Sequence, residues 1–175
     1  MKAMFKHRGK ADSILGKKNI NNYENIYNHL DDLQSKKELP FNGKYLSDNE
    51  LASNIYKKKY YLKDLKNNIV ETCPEDVFKR VSAFIASAEK TKSKQNQWSE
   101  NFYNDLYEGR FLPGGRVIAG AGDLYRIKTL ANCFVSKIDK DEIDSIYQAA
   151  FECARTYSYG GGIGVDISSL RPKDA

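Results

Sequence analysis

The sequence predicts a mainly α-helical N-terminal region that leads into mixed strand and helix elements toward the C-terminal end. Three observations predict it. Apolar residues recur at helical spacing in several separate stretches before residue 110. More than half of the 12 glycines fall between Arg110 and Arg171. Glycine costs backbone entropy, so such a cluster needs turns with φ > 0 or a ligand held against bare backbone. Between the two glycine clusters, a short apolar run around Cys133 reads as a buried strand.

Met1 to Ile20 is basic and polar, without a hydrophobic period, and reads as poorly ordered. From Asn22 to Lys36, Tyr23, Ile26, Tyr27, Leu30 and Leu33 form a helical stripe with Asn21 or Asn22 as N-cap. Its plain reading is a helix packed on the body of the protein. Ser47-Asp-Asn-Glu50 has the form of a capping box and predicts a helix from Asp48 to about Lys59. Tyr60 to Leu62 and Ile69-Val70, separated by polar Asp64 to Asn68, read as a small hairpin.

Pro74 suits a first helical turn, where Glu75 and Asp76 meet the positive end of the helix dipole. Val77, Phe78, Val81, Phe84, Ile85 and Ala88 then make the buried face. Cys73 falls at the N-cap position, for which it is a poor residue; Thr72 is the better cap, and Cys73 is given no chemical role. After a polar linker from Lys90 to Asn96, Trp98, Phe102, Leu106 and Tyr107 mark a helix stopped by Gly109. These aromatics could serve as a base-stacking surface, but at helical spacing they read as core. Asp141 to Ser158 carries Ile143, Ile146, Tyr147, Ala150, Phe151 and Ala154, a helix of roughly 27 Å at 1.5 Å per residue. Gly160 ends it.

The chain has 175 residues, 41% hydrophobic and 29% charged, which suits one soluble domain with a real core. No apolar run approaches the ~20 residues that span a bilayer, and the N-terminus lacks a signal-peptide core. Three irregularly spaced cysteines argue against a disulfide scaffold or a zinc site and for a reducing cytoplasm. The net charge of +5 comes from short lysine groups mixed with Asn, Ile and Tyr. AT-rich codon usage explains that mixture more simply than a nucleic-acid patch does. Gly160 to Gly164 is neither a Walker loop, since no Gly-Lys-Ser/Thr follows, nor a Rossmann turn opening a helix. Cys153, mid-helix and without a nearby histidine, reads as packing.

Pro113-Gly-Gly-Arg116 with Ala119-Gly-Ala-Gly122, Asn132-Cys-Phe-Val135, Gly160-Gly-Gly-Ile-Gly164 and Leu170-Arg-Pro-Lys173 together resemble the large catalytic subunit of ribonucleotide reductase. Each motif alone is weak; four in order, with a helix-sized gap before the triple glycine, are specific. The resemblance runs from about Leu46 to Ala175 and is nearest to the adenosylcobalamin-dependent (class II) enzymes. It implies an extension over 1–45, a helical domain over 46–128, and over 129–175 the start of an α/β barrel that has ten strands in the complete family.

The same resemblance implies an activity. Replacing the ribose 2′-hydroxyl by hydrogen through a substrate radical needs protons and two electrons at close range, and a cysteine pair that ends as a disulfide supplies both. By resemblance Cys133 is one of that pair, with its partner outside this chain; the blander reading of Cys133 is a buried structural cysteine. Asn132, Cys133 and Gly162 match substrate-lining positions. Asp141, Ile143 and Arg171 match positions around a deoxynucleoside triphosphate effector, although Asp141 also suits a helix N-terminus. The expected cofactor is adenosylcobalamin, held by residues beyond this chain. The expected partners are the remainder of the reductase polypeptide, a second copy through the 141–158 helix, and a thioredoxin- or glutaredoxin-like reductant, with no nucleic acid and no membrane. The chain alone is expected to be inactive. Two alternatives stand beside this: a class I large subunit with a separate radical-generating subunit, and a non-catalytic nucleotide- or nucleic-acid-binding protein. Retention of Cys133 speaks against the second.

Overall fold

The computed structural model describes residues 15–174. The chain divides into two compact units, one ending at Ile127 and one beginning at Lys128. The first unit is helical: α1 (Lys17–Ser35), α2 (Glu50–Ile55) continued by a π-helical turn (Tyr56–Tyr60), α3 (Pro74–Ala86), α4 (Lys92–Tyr107) and α5 (Gly115–Gly120). The second holds β1 (Cys133–Lys137), α6 (Ile143–Ser158) and β2 (Gly162–Asp166).

In the first unit α3 is the central element and packs against α1, α4 and α5. Pro74 opens it and Glu75 and Asp76 lie in its first turn, as the sequence predicts. Cys73 is the N-cap and makes no side-chain capping bond. Instead the Asp76 carboxylate accepts from the Thr72 amide at 2.9 Å and the Thr72 hydroxyl at 3.0 Å.

Arg80 lies at the middle of α3 and is fully buried together with Glu71. Its Nε donates to Glu71 Oε1 at 2.7 Å and its Nη2 to Glu71 Oε2 at 3.2 Å. The remaining guanidinium donors meet main-chain carbonyls: Ile118 at 3.0 Å, Tyr60 at 3.1 Å, and Ala121. Glu71 Oε2 in turn accepts from the Leu62 amide at 2.7 Å. A buried charge pair is tolerated when such bonds satisfy its remaining donors and lone pairs.

α1 is tied to this core by several polar contacts. The Tyr23 hydroxyl donates to the Gly122 carbonyl at 3.2 Å. Lys79 pairs with Asp31, donates to Gln34 Oε1 at 3.0 Å and lies 5.0 Å over the Tyr27 ring. Gln34 donates to the Tyr103 hydroxyl at 2.9 Å, and that hydroxyl donates to the Pro40 carbonyl at 2.6 Å. Burial pushes the Tyr23, Tyr27 and Tyr103 phenols well above the usual tyrosine range.

Several local expectations are corrected here. α1 begins at Lys17 behind Gly16, whose φ is 80°, rather than at an Asn21 or Asn22 cap. Ile20 is 1% exposed, so the part of Met1 to Ile20 from residue 17 is ordered helix; residues 1–14 lie outside the described residues. The capping box does not form. Asn49 caps α2 by accepting from the Ala52 amide at 2.9 Å, and a π-helical turn carries the chain on to Tyr60. The hairpin reduces to one antiparallel bridge, Lys63 with Ile69, whose turn is held by Asp64 Oδ1 accepting from the Lys66 and Asn68 amides.

Ile85 on α3 and Ala88 just beyond its end are exposed, while Lys79, Arg80 and Ser82 are buried. On α4, which starts at Lys92 behind the Thr91 cap, the buried stripe is Gln95, Ser99, Tyr103 and Leu106. Trp98 is 41% exposed and stacks on Phe102, so it is a surface aromatic rather than core. Gly109 does terminate the helix, at φ 71°.

In the second unit β1 and β2 are parallel, with α6 as the crossover between them. The register pairs Cys133 with Gly162 and runs through to Lys137 with Asp166. Two strands are present among the described residues. β1 is exposed rather than buried: Cys133 is exposed and Val135 is 89% exposed. A strand of a parallel sheet is covered by neighbouring strands and by helices on both faces, and here β1 has one strand and one helix beside it. α6 starts at Ile143, two residues later than the sequence suggests, and only Ala149 on it is buried.

Two outcomes follow from these contacts. Arg80→Ala leaves the buried Glu71 carboxylate without its counter-charge and takes a donor from three carbonyls, and should cost about 3–5 kcal/mol in urea unfolding of the chain. Thiol accessibility differs as sharply. Burial first, then the Asp76 charge, push the Cys73 thiol up to about 12. A raised folded value means that the contribution of Cys73 to stability is intact below the unfolded value near 9 and is lost as pH rises toward 12. At pH 8 an aromatic disulfide reagent should therefore modify Cys133 in the native chain and Cys73 only after denaturation. Equal rates for the two in the native chain would contradict this placement.

Candidate functional site

The strand–helix–strand unit brings Asn132, Cys133 and Gly162 together. The Gly162 amide donates to the Asn132 carbonyl at 2.9 Å, and Cys133 and Gly162 are register partners. A Cβ built on Gly162 would stand 3.5 Å from the Asn132 carbonyl oxygen and 3.7 Å from Cys133 Sγ. The missing side chain therefore leaves the space beside the thiol open.

The three glycines that lead into β2, Gly160, Gly161 and its first residue Gly162, have separate duties. Gly160, at φ 83°, ends α6 in the left-handed region, and its amide donates to the Tyr157 carbonyl at 2.9 Å. Gly161 is required by packing, because a Cβ there would meet the Phe134 ring at 2.7 Å and Thr156 Cγ2 at 2.8 Å. Gly162 flanks the thiol. Gly160 ends the helix as the sequence suggests, and room for close backbone approach to a ligand is left at Gly162 and at Gly164, which has nothing within 4 Å of its Cβ position.

The other candidate group gathers at the opposite end of the two strands. Arg171 Nε lies 2.6 Å from Asp141 Oδ2, and the Arg171 amide approaches the same oxygen at 3.4 Å. Asp141 precedes the α6 cap, Glu142, and its carboxylate faces Arg171 rather than the helix amides. Ile143, at the first position of α6, is 69% exposed. All three effector candidates therefore sit around the turns that connect β1 to α6 and leave β2. The pair is exposed enough that its own contribution to stability is small, and its free guanidinium nitrogens remain available to an anion.

Other polar groups hold the frame. The Ser136 hydroxyl donates to Glu152 Oε2 at 2.6 Å, tying β1 to α6 and, with Gln148, holding the Glu152 carboxyl below its usual range. The Ser168 hydroxyl and amide hold Asp166 low in the same way at the end of β2. Nothing in the residue periodicity signals these bonds, because each joins exposed polar positions. Cys153 is half-buried on α6 and Cys73 belongs to the helical unit. Among the described residues no group of three or more His, Cys, Asp and Glu side chains converges as a metal site, and no helix is long and apolar enough to cross a membrane.

Comparison with known proteins bears on both units. A family model for the ribonucleotide reductase all-alpha domain matches residues 46–126, and one for the ribonucleotide reductase barrel domain matches residues 131–175. The ribonucleoside-diphosphate reductase subunit alpha of Helicobacter pylori (strain ATCC 700392 / 26695) is 30% identical over 138 residues, 79% of this chain and 16% of the relative. The ribonucleoside-diphosphate reductase large subunit of Monkeypox virus is 30% identical over 118 residues, 65% of this chain and 14% of the relative. The subunit alpha of Chlamydia muridarum (strain MoPn / Nigg) is 28% identical over 102 residues, 58% of this chain and 9% of the relative. The chain thus spans at most 16% of the length of these relatives. With both domain models matched in chain order, one on each structural unit, the chain belongs to the ribonucleotide reductase large-subunit family.

Proposed function

We propose that this chain supplies the helical domain and the first barrel elements of an enzyme that reduces ribonucleotides to deoxyribonucleotides, a step in DNA precursor synthesis. The observation that carries the proposal is the open-sided contact of Asn132, Cys133 and Gly162 across the parallel strands. Cys133 is one thiol of the reducing pair. As the pair oxidises to a disulfide it gives up two electrons and two protons, and the ribose 2′-hydroxyl leaves as water. A thioredoxin- or glutaredoxin-like dithiol then restores the pair. Asn132 and Gly162 shape the space for the sugar. The second thiol and the radical-bearing cysteine come from the polypeptide that completes a ten-stranded barrel.

The Asp141–Arg171 pair with Ile143 is the proposed effector site. An arginine fork suits phosphate, a carboxylate suits a sugar hydroxyl, and an exposed aliphatic side chain can lie against a base. Ile143, Tyr147 and Phe151 follow one another at intervals of four along α6 and are 69%, 69% and 57% exposed. This apolar stripe suits pairing with the same helix of a second copy, so that effector binding and dimerisation are linked.

The proposed radical source is adenosylcobalamin, on the wording of Pro113–Arg116 and Ala119–Gly122. It would supply the radical that starts the reaction. Among the described residues no group of three or more His, Cys, Asp and Glu side chains gathers near Cys133, and the binding of adenosylcobalamin is assigned to the rest of the polypeptide. A second reading has its own support: the relatives are named "subunit alpha" and "large subunit", wording that fits a class I enzyme with a separate radical-generating subunit. Activity of the completed enzyme with added adenosylcobalamin and no second metalloprotein favours the first; an absolute need for such a protein establishes the second.

Three outcomes test the proposal. Cys133→Ser in the completed enzyme should abolish multiple turnover and leave nucleotide binding nearly intact; normal thioredoxin-dependent turnover would exclude the redox role. A deoxynucleoside triphosphate should strengthen self-association of the completed enzyme in sedimentation, and Arg171→Ala should weaken that response. The purified 175-residue chain, given dithiol, cobalamin and effector, should form no deoxynucleotide above background.

A further inference from the structure

The sequence spreads its lysines in short groups, and the fold gathers five of them at one place on the helical unit. Between residues 51 and 70 the charged residues are Lys57, Lys58, Lys59, Lys63 and Lys66 against one carboxylate, Asp64. The first three stand exposed on the π-helical turn, whose ends are fastened inward: Tyr56 and Tyr61 are buried, and the Tyr60 carbonyl accepts from Arg80 at 3.1 Å. Lys63 Nζ donates to the Lys58 carbonyl at 3.4 Å, so the turn and the loop after it form one patch. Asp64 is engaged by the loop itself, accepting from the Lys66 and Asn68 amides at 2.8 and 2.9 Å and from the Asn68 side chain at 3.0 Å. The ion pairs of the described residues involve none of the five lysines. Arg126 fixes the loop, donating to the Lys63 and Asp64 carbonyls at 2.7 Å each and to Asn67 Oδ1 at 2.8 Å. Leu65, within this loop, is 64% exposed. Ile69 is 51% exposed and opposes Lys63 in the antiparallel bridge, which puts the two side chains on one face.

A patch of this make-up favours one kind of partner. Lysine carries a point charge on a flexible stem and lacks the fork of arginine, so the five suit a diffuse anionic surface better than a single carboxylate or phosphate. A single-stranded nucleic acid would call on aromatic faces for its bases. Here Tyr56 and Tyr61 are buried, and a Cβ built on Gly115 would stand 3.3 Å from the Tyr60 hydroxyl, so that ring is taken up by α5. Exposed aliphatic side chains beside clustered lysines match an anionic lipid surface, where apolar groups enter the acyl boundary and ammonium groups meet the headgroups. We infer that the patch from Lys57 to Ile69 docks on a membrane surface that carries anionic lipid, with Leu65 entering the headgroup boundary. No helix of the described residues is long and apolar enough to cross a membrane, so the contact is peripheral. The inference departs from the expectation of no membrane partner and does not depend on the redox role of Cys133.

The purified 175-residue chain is titrated with vesicles of phosphatidylcholine mixed with phosphatidylserine and with vesicles of phosphatidylcholine alone, and binding is read by co-sedimentation. The chain should bind the first and not the second, and added salt should weaken the binding. Lys57→Gln, Lys58→Gln and Lys59→Gln together should weaken it about a hundredfold, at about fivefold per lysine. Leu65→Ser should weaken it about tenfold. Lys90→Gln, Lys92→Gln and Lys94→Gln together remove the same charge from exposed positions around the start of α4 and should weaken it far less. Circular dichroism confirms that the variants keep their helix content.

No binding to the phosphatidylserine vesicles, equal binding to the neutral ones, or wild-type affinity of the Lys57–Lys59 variant or of Leu65→Ser overturns the inference. So does an equal loss in the two triple variants, which would reduce the effect to net charge. Tighter binding to oligothymidylate than to the vesicles, lost with the same three lysines, assigns the patch to nucleic acid. The same result with polyglutamate assigns it to an acidic polypeptide, and either outcome overturns the proposal.

Discussion

The buried pair of Arg80 and Glu71 is the contact on which the helical unit depends. Both side chains are fully enclosed, and a guanidinium has five donors to satisfy. Four partners do so here: the Glu71 carboxylate and the carbonyls of Tyr60, Ile118 and Ala121. These carbonyls belong to the π-helical turn, to α5 and to the residue after α5, so one side chain on α3 fixes the ends of elements that share little apolar surface. Glu71 extends the same net by accepting from the Leu62 amide. Short, irregular segments usually hold their place poorly because they bury few apolar groups. In this unit their free carbonyls are held by charge-assisted bonds instead.

The same constraint explains one of the glycine motifs. Gly122 has φ 77°, and a Cβ there would meet the Tyr23 hydroxyl at 2.6 Å and Arg80 Cγ at 2.8 Å. The last glycine of Ala119-Gly-Ala-Gly122 is therefore needed so that the chain can pass over the arginine and accept from Tyr23. It serves the fold rather than a ligand. Tyr23 lies on α1, outside the matched family region, yet it closes the shell around Arg80. α1 is built into the core through Tyr23, Asp31 and Gln34 and is not an appendage.

How far the sequence could be read depended on whether local spacing or distant partners decided the outcome. α3 was legible because Pro74, the acidic first turn and the apolar spacing all agree. Arg80 as a core residue was not, since a buried charge contradicts the very periodicity that identifies the helix. On α4 the stripe that faces inward is Gln95, Ser99, Tyr103 and Leu106. Two of those four are polar, so hydrophobicity alone drew attention to the neighbouring Trp98 and Phe102. Ser47 and Asn49 are both good caps, and spacing cannot choose between them when the turn before the helix decides. At the site, Asp141 and Arg171 are far apart in the chain, and the pairing of Cys133 with Gly162 is a parallel register; neither is encoded in local pattern. Resemblance to a family brought those residues together, and the geometry then gave each a neighbour.

The two units differ in what they leave unfinished. The helical unit encloses and pairs Arg80 with Glu71, and its exposed apolar side chains, Leu51, Leu65, Phe111 and Leu112 among them, are scattered along it. The strand–helix–strand unit buries Ile138 and Ala149 but leaves β1 and most of α6 open. Parallel strands acquire their stability from neighbours on both edges and both faces, so such a unit gains much more from added chain than the helical one does. Under the proposed redox role, Cys133 has two requirements in conflict. To reduce a substrate radical it must be screened from water; to be reduced again it must be reached by another thiol along a line of attack. A strand buried in its own small core meets the first and fails the second. Cys133, on an open strand beside the bare Gly162, is exposed in this unit, so under the proposed redox role it meets the second requirement here and leaves the first to added chain.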